Sequence, residues 1–252
     1  MNSFRCEVSE SSGTKRFTII DQVADPQERR AFLRLYGARE PQKRRKLAEE
    51  LVSKYPQSWL LVQSYEIGAK ACIDLDDYAA GLELGAKSLR LFSENPLLLV
   101  PLASIRAQVK QSRAAEESAR MALEYLDQFD RPAAITAAKW PALQAELKAS
   151  SYFVLGRVAA AQARHASSSE KHAKLLEAEN SLMRARALNA NDAEAAYLLG
   201  LTELSLGKPT RAALYLAHAQ RTPGPLQARA LESPRRMYDS QIHQKGDSFD
   251  AY

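Results

Sequence analysis

Cysteine is nearly absent: the 252 residues hold two, Cys6 and Cys72, so neither a disulfide framework nor a cysteine metal knuckle is in view. Cys72 sits in an apolar-periodic stretch and reads as a small buried residue. Glycine is sparse at ten residues and aromatics make up 8%. No stretch alternates apolar and polar residues between turn signals as a half-buried strand would. No apolar run is long enough to span a bilayer. The opening MNSFRCEVSESSGTKRF lacks the apolar segment of a secretory signal, which points to the cytoplasm unless the true start lies upstream. The four histidines, His165, His172, His218 and His243, form no HxxxH or HExxH pair that would place two ligands on one helical face. There is no GxSxG, phosphate-binding glycine loop or dinucleotide fingerprint. No catalytic residue, metal or cofactor is expected, and the chain reads as a non-enzyme.

What remains is rich in Ala and Leu, with 46% apolar residues, a balance that favours helices because these side chains lose little entropy on entering one. Ala193 to Ala219 is the sharpest stretch. It reads as two helices folded back on each other around Gly207-Lys208-Pro209-Thr210, with Ala196, Leu199 and Gly200 on the first and Ala212, Leu216 and Ala219 on the second. The register extends backwards. Gly81 and Ser88 recur 34 residues later as Ala115 and Ala122, and Ala69 recurs as Ala103. Tyr152, Leu155, Gly156 and Ala159 land on the same positions, with Ala178, Leu182 and Ala185 on the partner helix. Residues 1–20 are aperiodic and read as a flexible tail. One helical domain is expected over 21–252, with hairpins near 25–56, 59–93, 96–127, 140–190 and 193–222. Closing helices are expected over 225–252. Asp127 to Lys139 and His165 to Lys171 read as insertions, and Trp140 is expected to pack on an earlier hairpin. Pro101 should start or bend its helix, because a proline deep inside one costs about 3 kcal/mol.

This spacing resembles the tetratricopeptide repeat, in which each hairpin has an apolar side that only a stacked neighbour can cover. The resemblance implies an all-α fold, a right-handed α-solenoid of about four to five antiparallel hairpins with insertions. The order of Tyr55-Pro56, Trp140 to Gly156 and Arg235 to His243 is similar to a group of bacterial tetratricopeptide proteins of unknown role. In such proteins the first helix of each hairpin lines a concave binding surface. Carried over position by position, those sites are Gln63, Glu66, Lys70 and Asp74, then Leu97, Ser104 and Gln108, then Phe153 and Arg157, and last Glu194, Tyr197, Leu201 and Ser205. Phe153, Tyr197 and Leu201 are the apolar anchors of this set; packing against the neighbouring hairpin is the competing role. The chaperone-tail clamp of a better-known subgroup needs Lys and Asn where Glu66 and Lys70 stand, so that ligand is disfavoured.

The implied function is a protein-interaction scaffold or adaptor that takes a partner peptide or helix on the concave face. Two alternatives stand beside it. Arg29, Arg30, Arg34 and Arg39, followed by Lys43, Arg44, Arg45 and Lys46, make a basic first hairpin that would suit a polyanion or acidic peptide. The net charge is only +5, and no aromatics interleave the cluster for base stacking, so nucleic acid is disfavoured. An accessory subunit of an enzyme complex is the other alternative, and self-association is open.

Overall fold

The structure, a computed structural model, describes residues 5–10, 13–132 and 134–221; the closing helices expected over 225–252 lie outside them. The chain packs as two compact units, Met1–Trp140 and Pro141–Tyr252, within the stretch read from sequence as one repeat domain. Among the described residues ten α-helices pair into five antiparallel hairpins, an all-α helical-repeat arrangement of the α-solenoid class.

The first unit opens differently from expectation. Where the sequence reads as an aperiodic tail, strands β1 (Arg5–Glu10) and β2 (Gly13–Thr18) pair antiparallel, from Arg5 opposite Thr18 to Glu10 opposite Gly13. Cys6 and Val8 do alternate with polar neighbours, a period too short to stand out. A 3-10 turn, Ile19–Gln22, leads to α1 (Pro26–Gly37) and α2 (Pro41–Lys54). Asp25 accepts from the Gln27 N–H at 2.7 Å, and Pro26 fills the first helical position, where its missing N–H costs nothing. Phe32, Leu35, Ala48, Leu51, Val23 and Leu60 form the core of this hairpin.

Helices α3 (Leu61–Asp74) and α4 (Tyr78–Leu91), then α5 (Pro96–Gln108) and α6 (Ser112–Leu126), follow. Pro101 neither starts its helix nor displaces the start: α5 begins at Pro96, with Asn95 accepting from the Leu97 N–H at 3.1 Å. Burial of Leu98, Leu99, Leu102 and Ile105 along the same helix outweighs the one hydrogen bond that Pro101 forgoes. Trp140 stacks at a tilt on Phe129 of the preceding connection (6.4 Å between centroids), and Phe129 in turn meets Phe92 (6.5 Å) at the end of α4, so the expected link from Trp140 to an earlier hairpin runs through Phe129.

The second unit holds α7 (Trp140–Ala163, its first residue counted with the first unit), α8 (Ser168–Leu188), α9 (Ala193–Ser205) and α10 (Pro209–Arg221). A single crossing is built twice here. A Cβ on Gly156 would stand 2.6 Å from Leu182 Cγ, and one on Gly200 would stand 2.7 Å from Leu216 Cγ. In each case the leucine's Cδ2 follows at 2.9 Å and then a carbonyl oxygen at 3.3 Å, from Ala178 and Ala212 respectively. Only glycine lets the helices approach this closely.

The expected insertion at His165 to Lys171 is mostly helix. Ser167 and Glu170 form a capping box, the Ser167 Oγ donating to the Glu170 carboxylate at 2.7 Å and the Ser167 N–H donating to it at 3.3 Å. These bonds also hold the Glu170 carboxyl below its ordinary range. The box starts α8 at Ser168, so only Arg164 to Ser167 are left as the connection.

Three first helices end alike. After α9, the Lys208 N–H reaches Glu203 O at 2.9 Å and the Gly207 N–H reaches Leu204 O at 3.0 Å, with Gly207 at φ 73°. After α3 the same pair of bonds turns on Asp76 (φ 58°), and after α5 on Lys110 (φ 63°). This is the Schellman ending, which needs a left-handed residue and normally uses glycine.

Candidate functional site

In the first unit, the residues carried over from the repeat register do not form an open polar surface. Gln63 is buried, at 7% exposure, and neither end of its amide has a hydrogen-bond partner. Glu66 is drawn into the fold. It accepts from Lys70 Nζ at 2.5 Å and from Asn95 Nδ2 at 2.8 Å, so the cap residue of α5 is tied to α3. Ser104 donates back to Val100 O at 3.2 Å, and Gln108 donates to the Tyr78 hydroxyl at 3.3 Å. Leu97 is half-buried, and Asp74 is exposed at the end of α3. Asn95 is the member of this network that sequence reasoning missed. Its place just before Pro96 marks it as a cap, but nothing in the sequence marks it as a bridge to Glu66.

The second unit is more open. Phe153 and Arg157 are half-buried on α7, and Arg157 Nη1 lies 4.0 Å from Glu194 Oε1 on α9. The half-buried Tyr197 packs against Ala196 and Ala219, a partly structural contact. Leu201 and Ser205 face a cavity of about 260 Å³ among α7, α8 and α9. Its apolar wall comes from Ala160, Ala163, Leu175, Leu198 and Leu201, and Arg164 and Lys171 stand at its edge. Neither cation has a carboxylate partner among the described residues. The register singled out Leu201 and Ser205 but not Leu198, Leu175, Arg164 or Lys171, and Lys171 reaches the cavity only because α8 starts early.

Beneath this surface a charge cluster ties α8 to the last hairpin. Glu179 accepts from Lys208 Nζ at 2.8 Å and Arg211 Nη1 at 2.9 Å. Glu203 is fully buried. Arg211 Nη2 lies 2.8 Å from its Oε1, yet the geometry does not align a hydrogen bond, and Lys208 is 3.7 Å away. Burial pushes the Glu203 carboxyl up, and the neighbouring Glu179 charge pushes it further; the two cations oppose this without cancelling it. Burial also acts on Glu179, but the hydrogen bond and charge of Lys208, with Arg211, hold that carboxyl below its ordinary range. Two cations therefore serve one ionised carboxylate well and the second poorly.

The basic first hairpin is less uniform than its sequence. Arg44 Nε donates to Ala38 O at 2.6 Å, and Arg45 pairs with Glu49 at 3.0 Å and with Asp77 at 2.9 Å. Arg29 is half-buried, while Arg30, Arg34, Arg39, Lys43 and Lys46 are exposed. Among the described residues no three His, Cys, Asp or Glu side chains gather as a metal site, and no helix is long and apolar enough to cross a membrane.

No protein-family model matches the sequence, and no curated protein does. Solved structures are similar in fold. A structure of YrrB, described as a TPR protein with an unusual peptide-binding site, superposes with TM-score 0.59 at 17% identity over 85% of this chain and 93% of that one. MamA from Desulfovibrio magneticus RS-1 gives 0.56 at 13% identity over 79% and 97%. Yeast Tom70 gives 0.52 at 16% identity over 84% of this chain and 39% of that one. At these identities the likeness establishes the fold, which is tetratricopeptide-like.

Proposed function

We propose that this tetratricopeptide-like chain is a non-catalytic interaction protein that holds a partner peptide or helix on the first helices of its hairpins. The observation that carries the reading is the cavity among α7, α8 and α9. It is apolar inside, edged by Arg164 and Lys171, and sized for one large side chain. A peptide lying along α7 and α9 would seat an apolar residue against Leu198 and Leu201. Phe153 and Arg157 would meet its next residues. The first-unit positions contribute less, because Gln63 is buried and Glu66 is engaged by Lys70 and Asn95. The fold similarity to YrrB, a peptide-binding protein by its description, supports the same class of function.

The test is a selection of peptides from a random extended library on the full chain, followed by binding measurements with Leu201→Asp and Tyr197→Ala. Leu201→Asp, which places a charge in the cavity, should reduce affinity by about tenfold or more while the melting temperature stays close to that of the native chain. Tyr197→Ala should lower both, since its ring also packs on Ala196 and Ala219. Selected peptides that bind Leu201→Asp as tightly as the native chain would sink the assignment.

A further inference from the structure

A second cavity lies away from the first-helix surface of the later hairpins, along α1 and α2. It is a groove of about 670 Å³ running between the two helices of the first hairpin. Each helix presents one stripe to it. From α1 come Arg30, Leu33 and Arg34; from α2 come Leu47, Leu51 and Lys54, at the i, i+3, i+4, i+7 spacing of a helical face once Glu50 is included. Leu33 is 52% exposed there, and Tyr36 on the same helix is 56% exposed. An exposed apolar residue is ordinary when alone, but here it borders a groove with an apolar floor.

The charges around the groove are uneven. Arg30, Arg34 and Lys54 line it against the single acid Glu50, which already has Lys46 at 3.9 Å. Neither Arg30 nor Arg34 has an anionic partner among the described residues; the Arg30 Nε contact is to the carbonyl of Pro26, at 3.3 Å. The groove's floor is shared with the hairpin's own core: Leu51 is buried there with Ala31, Leu47 and Tyr55 packed against it, while Leu33 is left uncovered at the edge.

We propose that this groove is a second docking site, distinct from the first-helix surface of the later hairpins, and that its occupant is an acidic amphipathic helix of a partner protein. The groove's two walls, Gln27 to Arg34 on α1 and Leu47 to Lys54 on α2, each run about 10 Å along their helix, long enough to seat two turns of a third helix. The cationic edges select acidic residues flanking the occupant's apolar stripe. A nucleic acid would meet the same cations but would leave Leu33 and Leu47 against water, so the apolar floor argues for the helix.

The experiment is a selection on the full chain from a phage-displayed library of amphipathic helical peptides, with a fixed apolar stripe and randomised flanking positions. Binders should be enriched in Asp and Glu. Synthetic copies should lose about tenfold or more in affinity for the Arg30→Glu/Arg34→Glu double variant, and should also weaken for Leu33→Ser. All three positions are exposed, so melting temperatures should stay near native, and Leu201→Asp should leave this binding unchanged. Several outcomes overturn the proposal: no helix selected, no acidic enrichment, or binding indifferent to the double variant. A mixed-sequence oligonucleotide that binds, is lost in the double variant and is indifferent to Leu33→Ser would mark a polyanion site instead and overturn it as well.

Discussion

Replacing Gly200 by Ala tests whether the repeated crossing in the second unit depends on the absence of a single methyl. Two effects oppose each other. In a helix interior Ala is favoured over Gly by up to about 1 kcal/mol. The new methyl, however, would stand 2.7 Å from Leu216 Cγ and 2.9 Å from Cδ2, where ordinary contact is 3.4–4 Å. Cγ is the branch point of the leucine, so turning the outer bond does not move it, and the Ala212 carbonyl at 3.3 Å blocks retreat along α9. The helices must part by several tenths of an ångström, an overpacking cost of about 1–3 kcal/mol. The expected net is a loss of up to about 2 kcal/mol, or a few degrees in melting temperature for a chain of this size.

Gly37→Ala is the control without the clash: a Cβ there meets nothing within 4 Å, and at the last residue of α1 the helix gain is smaller than in an interior. Thermal melts followed by circular dichroism should place Gly200→Ala below Gly37→Ala, by up to about 3 kcal/mol. In a Leu216→Ala background, itself less stable because of the cavity, the new methyl gains room, and Gly200→Ala should become neutral or stabilising. If Gly200→Ala stabilises as much as Gly37→Ala in the native background, the crossing is not packed as described.

The charge cluster gives a pH prediction whose sign follows from geometry. The raised Glu203 carboxyl contributes stability fully below the ordinary glutamate range and loses it as pH rises through its folded value. Glu203→Gln, locked in the neutral form, should therefore match the native chain in acid and gain relative stability towards neutral pH; parallel pH–melting curves would refute it. The lowered Glu179 carboxyl acts in the opposite sense, contributing above the ordinary range and losing its share as pH falls. Lys110→Gly should stabilise by about 1 kcal/mol in the same melts, since Lys110 sits at φ 63°, where a Cβ is strained. No gain there would mean that the Lys110 side chain makes up the difference.

The repeat was legible because it repeats. Ala or Gly at Gly81, Ala115, Gly156, Ala178, Gly200 and Ala212 marks helix crossings, and no single one of these would have been informative. The Schellman endings were legible only at Gly207. Asp76 and Lys110 make the same turn 34 residues apart with residues that dislike it, because the flanking helices hold the chain there. The strands β1 and β2 were not legible for the opposite reason. Six residues apiece is too short a sample for a period of two to stand above chance.

The binding surface was legible in part, and what was missed has one cause. From Gly200 to Leu216, across the last hairpin, there are 16 residues; from Gly156 to Leu182, across the one before it, there are 26. The sequence reveals this surplus at the right place, but the run of serines from Ser167 to Ser169 reads as a loop. In the fold most of the surplus is helix. Ser167 and Glu170 nucleate α8 about two turns before it reaches the depth at which α10 begins, and Ser168 to Lys174 form that overhang. The overhang adds Lys171 to the cavity's edge, next to Leu175, which stands at the depth where α10 begins in the last hairpin. A register-based reading finds the positions that every repeat shares. The cavity joins shared positions such as Leu201 and Ser205 to Lys171, which only this hairpin's overhang supplies, and ligand choice should depend on that cation.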